Sequence, residues 1–239
     1  MESLSDKFAL VTGGTRGIGR AIAERLLREG ASVAICGRSR ESTDRAAAEM
    51  KSLGRIFGYP ADVTNEKQVG KLFQAVDAEF GGLDILVNNA GAGVFGKVAD
   101  LSPQDWRRNI DLNLNGPFYC SREALARFSR RGGGFIVNIS SLAAKNAFSG
   151  GAGYNASKAG VNLFSEAMML DHRHDNVRVS SIMPGSVATE FSGGPSSREG
   201  DTGWMIASED VAEAVALVLR MPARTMVSRI EMRPSRPRK

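Results

Sequence analysis

The stretch FALVTGGTRGIGRAIAE, residues 8–24, combines a short apolar run, a turn rich in glycine and an amphipathic segment. FALV (8–11) predicts a buried strand, and Ile22, Ala23 and Leu26 recur at the spacing of one helix face. A strand followed by a tight turn and a helix forms the first half of a β–α–β unit. This order favours an α/β fold.

Strand and helix patterns alternate along the rest of the chain in the same way. Six further short runs predict strands, namely SVAIC (32–36), IFGY (56–59), DILVN (84–88), GFIVNIS (134–140), VRVSSIM (177–183) and MVSRIEM (226–232). Strands that alternate with helices form a parallel sheet covered on both faces. The sequence therefore predicts a single doubly wound Rossmann-type domain over residues 1–239, with a parallel sheet of about seven strands and helices on both faces.

Composition and charge narrow the classes of function. The 239 residues are 42% hydrophobic and 24% charged, as in soluble globular proteins. No apolar run approaches the ~18 residues of a membrane helix, the start MESLSDKF has no apolar signal core, and Cys36 and Cys120 suggest no disulfide framework. We therefore expect a cytoplasmic protein that does not bind membranes.

The net charge of +5 raises the possibility of nucleic-acid binding. Much of the excess lies in the last residues, RIEMRPSRPRK (229–239). A basic tail rich in proline is typical of a solvated chain end, and no nucleic-acid motif accompanies it. The sequence predicts no nucleic-acid partner.

The glycine-rich turn predicts a phosphate site. Gly13, Gly17 and Gly19 leave room for a diphosphate to approach the backbone, and the amino end of the following helix points at its charge. At the end of the second strand, Gly37 and Arg38 stand where NAD-binding enzymes place an acidic residue. Arg38, together with Arg16, could bind the extra phosphate of NADP, although two ordinary surface arginines are the alternative.

A tyrosine and a lysine lie four residues apart in GGAGYNASKAG (150–160). On a helix, Tyr154 and Lys158 would share one face, one turn apart. Ser141 stands at the end of the fifth predicted strand, with Ser140 beside it as the alternative. An ordinary pair on a helix surface is the other interpretation of the tyrosine and the lysine.

These residues, together with five other motifs in the same order, resemble the short-chain dehydrogenase/reductase family. The motifs are TGGTRGIG (12–19), Asp62-Val63, NNAG (88–91), Asn113 in DLNLNGPF, and PGSVAT (184–189). The resemblance implies a catalytic set of Asn113, Ser141, Tyr154 and Lys158. It also implies NADP(H) contacts from Gly13, Thr15, Arg16, Gly17, Ile18, Gly19, Arg38, Asp62, Val63, Asn88, Ala90, Tyr154, Lys158, Pro184, Gly185, Val187 and Thr189.

The chemistry of carbonyl reduction accounts for these residue types. Hydride transfer to a carbonyl needs a proton donor, and the reverse reaction needs a base. Free tyrosine has a pKa of about 10, and a neighbouring ammonium together with the positive nicotinamide ring of the oxidised cofactor would stabilise its phenolate. We therefore expect Tyr154 to ionise well below free tyrosine. By resemblance, Lys158 also binds the nicotinamide ribose, Ser141 holds the substrate oxygen and Asn113 anchors a water linked to Lys158.

The substrate is left open between several small-molecule classes. By resemblance, a mobile loop over about residues 189–207 closes on the substrate. A 3-oxoacyl thioester is the leading class, although the ending IEMRPSRPRK departs from the usual acid and two glycines of such relatives. A sugar or polyol, a small ketone, or a redox sensor that binds NADP(H) without catalysis are the alternatives. His172 and His174 have no further ligand nearby, so no metal is expected.

Two predicted helices carry more apolar surface than one sheet face can cover. They span about 104–130 and 154–173 and include Leu112, Phe118, Val161, Phe164 and Met168. By resemblance to the family, these helices pair with a second subunit. We expect a homo-oligomer, a dimer or a tetramer.

Overall fold

The computed structural model describes residues 1–189, 191 and 202–237, and a seven-stranded parallel sheet lies at its centre. The strands are β1 (Phe8–Thr12), β2 (Ser32–Gly37), β3 (Ile56–Pro60), β4 (Ile85–Asn88), β5 (Gly134–Ile139), β6 (Val177–Pro184) and β7 (Arg229–Met232). Their order across the sheet is β3-β2-β1-β4-β5-β6-β7. The chain thus winds outward in one direction from β1 and then in the other from β4. The doubly wound Rossmann-type fold is confirmed.

The last strand is shorter than its sequence pattern. The pattern begins at Met226, but β7 begins at Arg229. The preceding residues still follow β6, where the Ser180 hydroxyl donates to the Val227 carbonyl at 2.6 Å and the Val179 amide donates to the Met226 sulfur at 3.4 Å. Side-chain contacts therefore replace the regular ladder at Met226 and Val227. At Ser228 the ladder resumes, because the Ser228 carbonyl accepts the Ser181 amide at 2.9 Å.

Helices cover both faces of the sheet. They are α1 (Gly17–Arg28), α2 (Arg40–Met50), α3 (Glu66–Phe80), α4 (Pro103–Ile110), α5 (Gly116–Arg131), α6 (Ala152–His172) and α7 (Ser208–Leu219). Ala9 and Val11 of β1 face the core beneath α1 and α7, whereas Leu10 faces the core beneath α3, α5 and α6. This alternation buries both faces of the strand, as the side-chain period of two requires.

The helix expected over 104–130 is divided. A π-helical turn, Asp111–Asn115, separates α4 from α5. Such a turn inserts an extra residue into the helix and redirects its side chains. Asn113 lies in this turn and is fully buried.

The outer faces of α5 and α6 share an apolar patch. Val161 and Met168 are buried against the sheet and do not contribute to it. The patch is formed by Phe118, Leu163 and Leu170, which are 42%, 70% and 53% exposed. The ring of Phe118 also contacts that of Phe164 at 6.2 Å between centroids, which joins the two helices. This α5–α6 patch is the surface on which the oligomer prediction depends.

No helix within residues 1–189 and 202–237 is long and apolar enough to cross a membrane. Over the same residues, no group of three or more His, Cys, Asp and Glu side chains could hold a metal ion. The ring of His172 instead contacts the Asp175 carboxylate at 2.9 Å. Much of the expected substrate loop, at residue 190 and residues 192–201, lies outside the described part of the chain.

Candidate active site

A groove of about 1620 Å³ opens at the carboxyl ends of the strands. Its walls come from the β1–α1 turn, the ends of β2 to β6 and the first two turns of α6. It is lined by Gly13, Thr15, Arg16, Gly17, Ile18, Gly19, Arg38, Asp62, Val63, Ala90, Ser141, Tyr154, Lys158, Pro184, Gly185, Val187 and Thr189. Of the sequence-predicted site residues, Asn88 and Asn113 do not line it. One concave surface thus brings together residues that are up to about 175 positions apart in the sequence.

The turn between β1 and α1 has no room for side chains at its glycines. Gly13 and Gly17 have φ values of +63° and +54°, which side chains rarely tolerate. A Cβ at Gly19 would lie 2.3 Å from the Gly13 carbonyl oxygen. Helix α1 begins after Arg16 with no side-chain cap and no acidic residue in its first turn. Its amide groups are therefore available to a phosphate, and the cradle fits a dinucleotide diphosphate.

The end of β2 excludes an acidic side chain and presents cations. A Cβ at Gly37 would lie 2.9 Å from the Thr15 methyl group, so a side chain there would displace Thr15. Arg16 and Arg38 are exposed and line the groove. Arg45 lines the same region, although the sequence reasoning did not single it out. Arg38 precedes α2, which begins at Arg40, so no helical spacing relates these two arginines.

Asp62 and Val63 follow β3, at the base of the same region. The Asp62 carboxylate accepts hydrogen bonds from the amide and the hydroxyl of Thr64, at 2.9 and 2.8 Å. Val63 is almost fully buried and lines the groove. The backbone here is held to β2 by the Ala61 amide, which donates to the Gly37 carbonyl at 2.8 Å.

The side chain of Asn88 turns away from the groove and ties β4 to β5, and the expected contact of this residue with the cofactor stays a prediction. Its amide donates to Asn138 at 2.8 Å and to Ser121 at 3.1 Å, and the residue is 4% exposed. Asn89 lines the groove instead, and its amide donates to the carbonyls of Thr12 and Gly13. Successive residues of a strand point to opposite faces, so the register of β4 decides which asparagine reaches the site.

Helix α6 carries Tyr154 and Lys158 on one face, as their spacing predicted. The Lys158 ammonium nitrogen lies 5.9 Å from the centre of the Tyr154 ring. Ser141 forms a hydrogen bond with the phenol. Ser140 is turned toward α6, where its hydroxyl donates to the Lys158 carbonyl at 3.3 Å. Ser141 is therefore the serine that faces the reacting group.

The protein raises the pKa of Tyr154 rather than lowering it. Burial raises this pKa above 10, and the hydrogen bond from Ser141 lowers it by a smaller amount. Burial also lowers the pKa of Lys158 to about 8, and its ammonium donates to the Ile139 carbonyl at 2.9 Å. In the protein's own groups, desolvation of the phenol therefore dominates. The expected ionisation well below free tyrosine also depends on the positive nicotinamide ring, and it stays a prediction for the complex with the oxidised cofactor.

Asn113 supports the site from behind the groove. Its amide donates to the Ala92 carbonyl at 2.8 Å and to the Ser157 hydroxyl at 3.2 Å, and its oxygen accepts from the Ala92 amide at 3.1 Å. Ser157 in turn donates to the Tyr154 carbonyl at 2.7 Å. Protein groups thus bind both polar atoms of the Asn113 side chain. The water-anchoring role that the resemblance implies for this residue stays a prediction. Its observed contacts join the segment after β4 to the start of α6.

Aromatic side chains surround the tyrosine. The rings of Phe95 and Phe191 meet the Tyr154 ring edge-on, with centroids 5.7 and 5.8 Å away. Phe148 packs on Phe95 at 5.7 Å. Trp204 also lines the groove. Phe191 and Trp204 lie in the expected substrate loop, whereas Phe95 and Phe148 lie in loops to which no sequence pattern pointed.

Comparisons with known proteins agree with this geometry. The family model for short chain dehydrogenases matches residues 7–199. An uncharacterized oxidoreductase of Staphylococcus aureus (strain MW2) is 34% identical over 236 residues, covering 98% of this chain and 100% of the relative. A 3alpha-hydroxysteroid dehydrogenase of Mediterraneibacter gnavus is 36% identical over 191 residues, covering 79% of this chain and 76% of the relative.

Solved structures give the same result. An alcohol dehydrogenase from the archaeon Thermococcus sibiricus, complexed with 5-hydroxy-NADP, superposes with a TM-score of 0.89 at 28% identity, covering 98% of this chain and 99% of that chain. The glycine-rich turn and Ser141, Tyr154 and Lys158 line one groove. The chain is therefore an oxidoreductase that uses a nicotinamide dinucleotide as cofactor, and it belongs to the short-chain dehydrogenase/reductase family.

Proposed function

We propose that this protein is an NADP(H)-dependent oxidoreductase that interconverts a carbonyl and a secondary alcohol. The observation that carries the proposal is the phenol of Tyr154, hydrogen-bonded to Ser141 and close to Lys158, in the groove that also contains the glycine cradle. A proton donor and a dinucleotide site in one cleft are the requirements of this reaction.

The preference for NADP(H) over NAD(H) rests on the end of β2. Gly37 supplies no carboxylate to bind unphosphorylated ribose, and a side chain there would have to displace Thr15. Arg16, Arg38 and Arg45 line the groove there, and guanidinium groups bind phosphate with paired hydrogen bonds. The complex of the Thermococcus sibiricus enzyme with 5-hydroxy-NADP supports the same choice.

The reacting groups divide the chemistry between them. When bound, the nicotinamide cofactor donates or accepts the hydride. Ser141 orients the substrate oxygen toward the phenol, and Tyr154 gives its proton to that oxygen during reduction. The charge of Lys158 stabilises the phenolate that is left, and we expect its ammonium to bind the ribose hydroxyls. Asn113 holds the start of α6 in register through Ser157.

The ionisation of Tyr154 favours the direction of reduction. Because burial raises its pKa above 10, the phenol carries its proton at neutral pH. A general acid must be protonated before it acts, whereas the alcohol-oxidising direction needs the phenolate. The protonated phenol is therefore the form that serves reduction, and oxidation of the alcohol should gain rate as the pH rises.

The walls around Tyr154 favour an apolar ketone as the substrate. Phe148, Phe191 and Trp204 line the groove, and Phe95 packs on the Tyr154 ring. These rings present few hydrogen-bonding groups, which disfavours a sugar or polyol. Relatives named as alcohol and hydroxysteroid dehydrogenases agree with this class. The 3-oxoacyl thioester expected from the resemblance has no support among these relatives and becomes the second candidate.

The test is a panel of carbonyl compounds assayed by loss of NADPH absorbance. It contains cyclic and aryl ketones, a 3-oxoacyl thioester, a keto sugar and a small aliphatic ketone, each with NADPH and with NADH. We expect the apolar ketones to give the highest kcat/KM. A higher kcat/KM for the 3-oxoacyl thioester would instead make the thioester the first candidate and the apolar ketone the second. Tight NADPH binding without turnover of any compound would favour the redox-sensor alternative.

Two further properties complete the proposal. Cys36 and Cys120 are both buried free thiols, which agrees with a reducing compartment such as the cytoplasm. The α5–α6 patch exposes three large apolar side chains on neighbouring helices, which supports assembly into a dimer or a tetramer.

A further inference from the structure

The basic C-terminal tail lies at the rim of the active-site groove. Arg233, Pro234 and Pro237 line the same groove as Tyr154. The Gly185 amide donates to the Met232 carbonyl at 2.9 Å, which fixes the chain where it leaves β7. A Cβ at Gly185 would lie 3.3 Å from Pro234, so the tail packs closely on the loop after β6. The tail is thus part of the wall of the site.

The first basic residue of the tail belongs to a charged cluster at this rim. Glu231 accepts hydrogen bonds from Lys145 and, at 3.0 Å, from Arg233. The bond from Lys145 is the main reason that the pKa of Glu231 is lowered, and the nearby charges of Arg233 and Arg229 lower it further. Lys145 follows directly after a 3₁₀ turn, and Ser141 directly precedes that turn in the sequence. Two cations therefore share one carboxylate, and the rim keeps a positive charge.

The guanidinium of Arg233 retains donors for a ligand. Within residues 1–189 and 202–237, Glu231 is its one carboxylate partner, and the bond uses a single nitrogen. The side chain is 57% exposed. A guanidinium carries five N–H donors in a planar fork that matches a carboxylate.

A second cavity, of about 460 Å³, continues from this rim. It shares Trp204, Met205, Arg233 and Pro234 with the groove, and it adds Arg236. Its own carboxylate, Asp210, accepts the Ala207 amide at the start of α7. A substrate that extends from Tyr154 past Trp204 thus enters a region in which the positive charges belong to the tail.

We infer that Arg233 selects carbonyl substrates that carry a carboxylate at the end remote from the carbonyl. The inference rests on the proposed function and defines its substrate class as an apolar ketone acid. The aromatic wall at Tyr154 holds the ketone part of the molecule. The rim then binds the carboxylate through the free N–H donors of Arg233, with the charge of Lys145 behind it.

The test uses two ketones that differ only in charge, 4-benzoylbutyrate and its methyl ester. The variant is Arg233→Gln, and Arg233→Lys keeps the charge without the fork. Arg229→Gln is the matched control. Arg229 begins β7, the strand that leads into the tail, and it pairs with Glu166 at 3.5 Å. It is not among the described residues that line the groove.

We expect the wild-type protein to prefer the carboxylate in KM by about three- to fivefold, the size of one charge pair at a partly exposed site. Arg233→Gln should abolish the preference by raising KM for the carboxylate, Arg233→Lys should keep part of it, and Arg229→Gln should keep all of it. Equal KM values for the two compounds in the wild type, or an unchanged ratio in Arg233→Gln, would overturn the inference.

A binding measurement separates this inference from the proposed function. In a Trp106→Phe background, Trp204 is the single tryptophan, and aryl ketones quench its emission. Tighter binding of 4-benzoylbutyrate than of the ester, lost in Arg233→Gln, supports the inference even if neither compound is turned over. Turnover of both compounds without a difference in binding would overturn the inference and leave the proposed function standing.

Discussion

The ammonium nitrogen of Lys158 lies 5.9 Å from the centre of the Tyr154 ring and donates to the Ile139 carbonyl at 2.9 Å. The lysine is thus held by the end of β5 and acts on the phenol through space. Its charge is nearly buried, with 5% of the residue exposed. Burial of this charge therefore lowers the stability of the fold, and in the proposed mechanism the same charge supports the reaction.

The first prediction concerns the proton donor. Tyr154→Phe keeps the ring and its contacts with Phe95 but removes the transferable proton. Turnover of any accepted ketone should fall by about 10²–10⁴-fold, while NADPH binding persists. Steady-state kinetics and fluorescence titration of NADPH measure the two effects. Tyr59→Phe, which removes a hydroxyl on β3, is the control, and near-normal turnover in Tyr154→Phe would disprove the mechanism.

The second prediction concerns pH. The hydrogen bond from Ser141 lowers the pKa of Tyr154, so Ser141→Ala should raise it. Alcohol oxidation needs the phenolate, and its rate should rise with pH. The midpoint of this rise should move to higher pH in Ser141→Ala. Ser140→Ala, which removes a contact to the Lys158 carbonyl, should leave the midpoint in place. An identical profile for Ser141→Ala would rule out the assigned role.

The third prediction concerns stability. The pKa of Lys158 is lowered from 10.5 to about 8, so the folded protein binds fewer protons than the unfolded chain between these values. The cost of the buried charge is fully present below pH 8 and disappears as the pH approaches 10.5. Lys158→Met should therefore raise the free energy of unfolding at neutral pH, by on the order of 3 kcal/mol.

Urea unfolding at several pH values measures this gain, which should shrink above pH 8. Lys97→Met, at an exposed position, is the control and should change stability little. Lys158→Met should also lose both turnover and cofactor affinity. A variant as stable as the wild type at neutral pH would show that the contact with Ile139 offsets the burial of the charge.

The fourth prediction concerns cofactor choice. Arg38→Asp should weaken NADPH binding by about 10- to 100-fold, because a charge-assisted phosphate contact contributes ~1.5–3 kcal/mol. NADH binding should change little. Arg40→Asp is the control, since Arg40 is exposed at the start of α2 and is not among the described lining residues. An unchanged ratio of the two dissociation constants in Arg38→Asp would contradict the assignment.

The fifth prediction concerns assembly. Leu163 is 70% exposed in the α5–α6 patch. A charge there would have to be buried at an interface, so Leu163→Arg should shift the protein toward a 25.5 kDa monomer. Light scattering at micromolar concentration measures the mass. Val98→Arg, at an exposed apolar residue on a loop, should leave it unchanged. A monomeric wild-type protein would contradict the prediction.

The sequence by itself determined the architecture and most members of the site. The strand of residues 8–11, the glycine turn and the four-residue spacing of Tyr154 and Lys158 depend on local rules of periodicity and backbone freedom. Such rules act within one helix, strand or turn, so their consequences can be predicted directly from the amino-acid sequence. The seven strands and the groove at their carboxyl ends followed from these rules.

Only the tertiary structure decided what depends on neighbours distant in sequence. The register of β4 turned Asn88 inward and Asn89 toward the groove, and the π-helical turn placed Asn113 against Ala92. Packing also buried the phenol of Tyr154 enough to raise its pKa, and it brought Arg233 of the tail to the rim of the same groove. Desolvation and side-chain orientation depend on every element that surrounds a residue, and the spacing of residues along one segment does not contain that information.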